Sequence, residues 1–370
     1  MTAQKNKQRI IIKVGSSSLT NEHGELDLQK IKKIINEIVV LKKSMYDIIL
    51  VSSGAVAAGY RKLGCVKPPK TAGEKQAAAS IGQGILIESY ARLFAEKGLH
   101  TGQLLITMDD FLDEKRYNNI RNTINILLNR SIIPIINEND SVSIEQMKFG
   151  DNDTLAAKVA GLMDADQLLL LSDIDGLYNQ NPKEYENAKL IKYINEISPE
   201  VEAMASGSSS NVGTGGMTTK IEAAKITLSS GIASFVGNAS SPSIIVDAVE
   251  GRAKGTYFVP KKQNRMLSQR KKWIAFHSNV NGVIVIKQAF SSNSFFLKDI
   301  NEVRGIFEKN TVVKIEDQHG RCIGKGIVGM SSTELTEQLK SNMETNTTSP
   351  IVVKFDEFVC VKDVPLLVGV

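Results

Sequence analysis

Six short, almost wholly apolar runs set the strongest limit on what this chain can fold into. They are RIIIKVG from Arg9, DIILVSSG from Asp47, GQLLIT from Gly102, SIIPIIN from Ser131, QLLLLSD from Gln167 and ASFVGN from Ala233. Their apolar parts have strand length and mostly lack the apolar–polar alternation of a half-exposed strand, so they read as strands buried on both faces. Helical patterns fill most of the gaps. After the first run, Leu28, Ile31, Ile34, Ile35, Ile38 and Leu41 recur at helical spacing, with Asp27 placed to cap the helix N-terminus. Strands alternating with helices predict an α/β fold, a three-layer αβα sandwich around a mainly parallel sheet. In such sheets ligands bind beyond the carboxyl ends of the strands. Every polar motif considered below falls there.

The pattern changes after Phe258. From Asn279 onward the short β-like runs GVIVI, SFFL, TVVKIED, CIGKGIVG and PIVVKF dominate, which predicts a small β-rich module. The expected organisation is a first domain over 1–258, a basic linker over 259–278 and the β-rich module over 279–357. The charge distribution suggests the linker. The 370 residues carry 45 Lys and Arg against 40 Asp and Glu, and six of the basic residues lie between Lys261 and Lys272 with no acid among them. The excess is therefore local, which reads as a solvated segment rather than a basic protein. The Ser- and Gly-rich stretch from Ser206 to Gly216 reads as a loop inside the first domain.

Several classes are disfavoured. No apolar run approaches the roughly 20 residues that span a bilayer, so no membrane association is expected. The stretch before Lys13 is too short for a signal-peptide core. Cys65, Cys322 and Cys360 are scattered and form no C-x-x-C pair, which fits a reducing cytoplasm. His23, His100, His277 and His319 lack metal-ligand spacing, so no protein-held metal is expected.

The polar motifs are modest one by one. Lys13 ends the first strand and precedes Gly15 and three serines, a turn that can offer backbone N–H groups to phosphate; a solvated strand-end lysine fits as well. In VSSGAVAAG, Gly54 permits a tight strand-to-helix turn with Ser53 at its mouth, although a capped helix start is the simpler reading. INENDSV places Asn137, Glu138, Asn139 and Asp140 directly after a strand, a cluster able to bind a zwitterion or to form an Asx-rich loop. Asp151, Asn152 and Asp153 precede the helix TLAAKVAG, and capping needs only one of them. LLLLSDIDGLY closes a strand with Ser172, Asp173 and Asp175. GTGGMTTKIEAA joins a glycine-rich loop to a helix carrying Lys220, but not in P-loop order.

Taken together and in this order, IIKVGSS, VSSGAVAAG, INENDSV, GDNDTLAA, LLLLSDIDGLY and GTGGMTTK resemble the amino acid kinase superfamily, in particular its glutamate 5-kinase branch. The C-terminal module resembles a PUA domain, although Lys309-Asn310 stands where PUA domains often have a Gly-Asp turn. The resemblance implies an enzyme that phosphorylates the side-chain carboxylate of L-glutamate with ATP and Mg²⁺, opening proline biosynthesis. It implies catalytic roles for Lys13, Lys220 and Asp153, with Asp153 orienting the two lysines. It implies glutamate contacts at Ser53, Asp140, Asn152 and, more weakly, Asp151. ATP contacts are implied at Lys13, Ser172, Asp173, Thr214, Gly215, Gly216, Met217, Thr218, Thr219 and Lys220. The metal would be bridged mainly by ATP phosphates.

Proline as feedback inhibitor and a homo-oligomer are further implications, as is RNA at the PUA-like module. That module counts ten basic against eleven acidic residues from Asn279 onward, a balance that does not favour RNA. The alternatives are a kinase of acetylglutamate, aspartate or carbamate, or an RNA-binding protein.

Overall fold

The computed structural model describes residues 7–21, 23–143, 152–182, 184–206, 216–261, 267–287, 294–341, 349–361 and 364. The chain divides into two units. The first comprises Met1–Asp110 and Lys115–Lys262; the second comprises Phe111–Glu114 and Gln263–Val370.

All six apolar runs form strands of the first unit: β1 (Arg9–Val14), β2 (Asp47–Ser52), β3 (Thr101–Ile106), β4 (Ile133–Glu138), β5 (Gln167–Ser172) and, after the two-residue β6 (Tyr193–Ile194), β7 (Ala233–Asn238). With β8 (Thr256–Phe258) they make one sheet in the order β3-β4-β2-β1-β5-β7-β8-β6. The pairings from β3 to β7 are parallel, and β7 pairs with β8 antiparallel. The predicted mainly parallel α/β sheet is thus present, with a reversed edge.

Because side chains alternate across a strand, the two faces of β1 do different work. Ile10, Ile12 and Val14 join the core cluster formed with α1 (Leu28–Lys43), α3 (Ala72–Ala95) and α9 (Ile244–Val249). Lys13 shares its parity with the fully buried Ile11 and belongs to the other face, where α6 (Asn152–Leu162) packs on β1 and against α8 (Met217–Ser229). Asp27 caps α1 as expected, accepting from the backbone N–H groups of Gln29 and Lys30. Between these helices in chain order come α4 (Met108–Leu112), α5 (Glu114–Asn129) and α7 (Pro199–Ser206).

Glycine matters most after β2. Gly54 has φ +98°, a left-handed turn that L residues resist, and it starts the short helix α2 (Ala55–Gly59). That helix lies hard against α3: a Cβ on Gly59 would come 1.9 Å from the Ala78 carbonyl oxygen, and one on Gly82 would come 1.7 Å from that of Ala55. Only hydrogen fits at either position.

The second unit contains a six-stranded sheet in the order β10-β14-β13-β12-β9-β11. Its strands are β9 (Val283–Ile286), β10 (Ser294–Phe296), β11 (Ile300–Arg304), β12 (Val312–Glu316), β13 (Cys322–Val328) and β14 (Ile351–Cys360). The module is β-rich as predicted, and α11 (Ser332–Ser341) buries Leu335 in its core. The basic stretch expected as a linker over 259–278 differs from that expectation. It contains α10 (Gln269–Phe276), which packs on β14 and buries Lys272, Trp273, Ile274 and Ala275. The Trp273 indole N–H donates to the Phe111 carbonyl at 3.0 Å, an anchor concealed by the surrounding lysines and arginines.

Among the described residues, no helix is long and apolar enough to cross a membrane.

Candidate active site

Lys13, Asp153 and Lys220 are distant in sequence and meet at one point. Lys13 leaves the end of β1, Asp153 the first turn of α6, and Lys220 the first turn of α8. The Lys13 Nζ lies 2.6 Å from Asp153 Oδ1, and the Lys220 Nζ lies 3.0 Å from Asp153 Oδ2. Thr219 Oγ1 is within donating distance of Asp153 Oδ2, at 3.0 Å, and of the Gly216 carbonyl, at 2.9 Å. The three charged side chains are almost completely buried, at 4 % exposure for Lys13, 2 % for Lys220 and 0 % for Asp153.

Burial alone would raise the Asp153 pKa. The charges of Lys13 and Lys220, and their hydrogen bonds to the carboxylate, outweigh burial and hold it below its ordinary value of 3.8. Two ammonium groups thus share one carboxylate at the carboxyl end of the sheet. Such an arrangement suits a reaction that gathers negative charge.

The second group of residues lies around Asn152. Its Nδ2 is 2.8 Å from Ser53 Oγ, 3.0 Å from Asn137 Oδ1 and 3.2 Å from the Ser52 carbonyl. Asn137 Oδ1 also accepts from the Glu138 backbone N–H at 2.9 Å. Asn137 Nδ2 is buried without a hydrogen-bond partner among the described residues, which leaves two N–H donors available to a ligand. In the sequence Asn137 stands out only as one member of a polar cluster. The signal that marks it is its place near the end of a strand buried along its full length. Asp140 follows in the turn after β4, half-buried.

On the other side of β1, Ser172 ends β5. Its hydroxyl donates to Asp173 Oδ1 at 2.9 Å, and its carbonyl accepts from the Ala239 N–H at 2.8 Å. Asp175, singled out in the same motif, is paired with Lys254 at 2.5 Å and accepts from Asn238 Nδ2 at 3.2 Å. The hydrogen bond from Lys254 is the largest influence on Asp175, and its pKa is lowered. Met217 is buried, Gly216 caps α8 through its backbone, and Thr218 is exposed. Asp151, Thr214 and Gly215 lie outside the described residues, as do 207–213 of the predicted loop.

The arrangement has two wings about a cationic centre. Amide and hydroxyl groups lie over β2 and β4, and a hydroxyl–carboxylate turn lies over β5. Among the described residues, no group of three or more His, Cys, Asp and Glu side chains is placed to hold a metal.

Comparison with known proteins places the chain in a family. The model of the amino acid kinase family matches residues 8–238, and that of the PUA domain matches residues 284–346. "Glutamate 5-kinase 2" of Bacillus licheniformis is 51 % identical over 362 residues, covering 96 % of this chain and 97 % of that protein. "Glutamate 5-kinase 2" of Bacillus subtilis is 48 % identical and covers 100 % of both. The "Glutamate 5-kinase" of Streptococcus suis is 42 % identical over 90 % of this chain and 94 % of its own length. Among solved structures, carbamate kinase from Giardia lamblia bound to AMP-PNP aligns with a TM-score of 0.51 at 16 % identity. It covers 69 % of this chain and 99 % of that one, and the similarity is one of fold.

Proposed function

This chain belongs to the amino acid kinase family and carries a PUA domain, and from that premise we infer that it transfers the γ-phosphoryl group of ATP to the side-chain carboxylate of L-glutamate. The product is L-glutamyl 5-phosphate, and the reaction is the first step of proline synthesis from glutamate. The observation that carries the catalytic reading is the convergence of Lys13 and Lys220 on the two oxygens of Asp153.

The chemistry asks little of the protein beyond positioning and charge. A carboxylate is already ionised at neutral pH, so the attacking oxygen needs no general base. Phosphoryl transfer then depends on aligning two anions and stabilising the charge on the moving group. We assign that stabilisation to Lys13 and Lys220. Asp153 holds both ammonium groups in place, and its low pKa keeps it ionised while it does so. Magnesium would arrive with the nucleotide as MgATP and would add positive charge to the phosphates.

Glutamate is assigned to the wing over β2 and β4. The Ser53 hydroxyl and the two N–H donors of Asn137, unpaired among the described residues, offer hydrogen bonds to a carboxylate, and Asn152 Nδ2 holds both side chains in place. Asp140, with Asp151 the weaker candidate that kinship adds, is assigned the α-ammonium group, which needs negative charge. ATP is assigned to the other wing, with Ser172, Asp173 and residues 216–220 as its contacts; kinship adds Thr214 and Gly215 to that assignment. Proline as a feedback inhibitor, a homo-oligomeric state and a cytoplasmic setting follow from kinship and belong to the same proposal. Proline titration of the initial rate and light scattering test the first two. RNA at the PUA domain is not part of it, because ten basic residues face eleven acidic ones from Asn279 onward.

An ATP-dependent hydroxamate assay tests the substrate. Hydroxylamine should trap an acyl phosphate when glutamate is supplied. Faster trapping with acetylglutamate or aspartate, or ADP release with carbamate alone, would reject glutamate as the substrate.

A further inference from the structure

A cavity of about 220 Å³ lies in the first unit, lined by none of the residues assigned to catalysis or substrate binding. Its walls are Ser18 from the turn after β1, Lys30, Lys33 and Ile34 from α1, and Ala239 and Ser240 from the loop after β7. The volume is below the roughly 300–1,000 Å³ of sites for drug-sized molecules, so its ligand would be small.

The wall chemistry is one-sided. Lys30 Nζ donates to the Thr20 carbonyl at 2.6 Å and approaches that of Ser17 at 3.4 Å. Lys33 Nζ donates to the carbonyls of Ser240 and Ser241 at 2.7 and 3.0 Å. Carbonyl groups orient an ammonium group without neutralising it, and each lysine retains a third N–H. No acid lines the cavity. Glu37, one turn further along α1, interacts electrostatically with Lys33 but lies outside the cavity wall and accepts from the Ile245 N–H at 2.7 Å. The Ser18 hydroxyl is buried, at 9 % residue exposure, and has no hydrogen-bond partner among the described residues. A buried hydroxyl left unpaired in the ligand-free protein is costly, and a ligand that accepts from it removes the cost.

We propose that this cavity is a second ligand site, separate from the catalytic one, which takes a small oxyanion bearing a phosphate or carboxylate group. Lys30 and Lys33 supply the charge, and the Ser18 hydroxyl supplies a directed hydrogen bond. Ser18 lies in the turn that closely follows Lys13 in the chain, so a ligand there acts on the backbone that positions a catalytic lysine. The proposal goes beyond the kinase reading and does not depend on which acid is phosphorylated.

Isothermal titration of the full chain tests it, with the catalytic site first saturated with AMP-PNP, magnesium and glutamate. Inorganic phosphate is the first probe and succinate the second. We expect saturable binding of at least one of them to persist, and the double variant Lys30→Gln/Lys33→Gln to weaken it at least tenfold. Glutamine keeps an N–H donor for the carbonyl groups, so the fold is retained. Ser18→Ala separates a ligand site from a packing role. In ligand-free buffer it should raise the thermal midpoint, because an unsatisfied hydroxyl is removed, and it should reduce the midpoint shift produced by the bound probe. Loss of binding of both probes after saturation would overturn the proposal. Equal affinity in the glutamine variant would do the same.

Discussion

Lys13 and Lys325 are almost equally inaccessible, at 4 % and 3 % exposure, yet the first unit and the second treat a buried lysine in opposite ways. Lys13 shares Asp153 with Lys220, so three segments far apart in the chain meet at one carboxylate. Lys325 sits in β13 directly opposite another cation, Lys314 of β12, and makes no ion pair among the described residues. Burial is the largest influence on Lys325 and lowers its pKa. Cys322 opposes that shift, and Lys314 adds to it. Like charges directly opposite on neighbouring strands destabilise a sheet. Burial of a lysine is therefore weak evidence of a functional site. Convergence of separate segments on a shared counter-ion, at the carboxyl end of a parallel sheet, is much stronger.

The largest expected effect comes from removing that counter-ion. Asp153→Asn removes the carboxylate that two buried ammonium groups share and should destabilise the protein by about 3–5 kcal/mol. Denaturant unfolding measures this, and a loss below about 1 kcal/mol would erase the distinction between the two units. The same aspartate predicts an acid limb. Its folded pKa is depressed, so its contribution is complete above the ordinary value of 3.8 and is lost as pH falls through the lower folded value. Asp153→Asn should therefore flatten the fall in stability below that value.

Next in size is Lys220→Ala. Asp153 keeps Lys13 as a partner, so the fold should survive while kcat drops at least about a hundredfold. Circular dichroism and ADP release measured together check both halves.

Lys325→Met should act the other way, raising stability by about 1–3 kcal/mol and leaving kcat unchanged. Because Lys325 has a folded pKa below 10.5, the unfolded chain binds the extra proton, and wild-type stability should rise as pH climbs toward 10.5. The methionine variant should lose that rise. A destabilised variant would mean that the ammonium group has a favourable role in the β-rich unit.

The sheet was legible because a strand buried on both faces has little choice of residue type. The α1 cap was equally plain, since Asp27 stands directly before a helical apolar pattern. The α10 helix was hidden because Trp273 and Ile274 are flanked by basic residues that read as solvated, although Lys272 itself is buried. β8 was missed because TYF is three residues long and antiparallel to its neighbour β7. At the site, family resemblance pointed to Lys13, Asp153 and Lys220, but no local spacing could show that 13, 153 and 220 share a point. Asn137 was concealed for the same reason: its unpaired amide is visible only once Asn152 is placed over it.

Hydroxamate formation by Lys13→Met, compared with wild type at saturating ATP and glutamate, puts the cationic centre to the most direct test. Wild type should yield glutamyl hydroxamate in step with ADP, and the folded variant should be slower by at least about a hundredfold. A folded Lys13→Met protein that forms hydroxamate near the wild-type rate would contradict the assignment of the paired lysines to phosphoryl transfer.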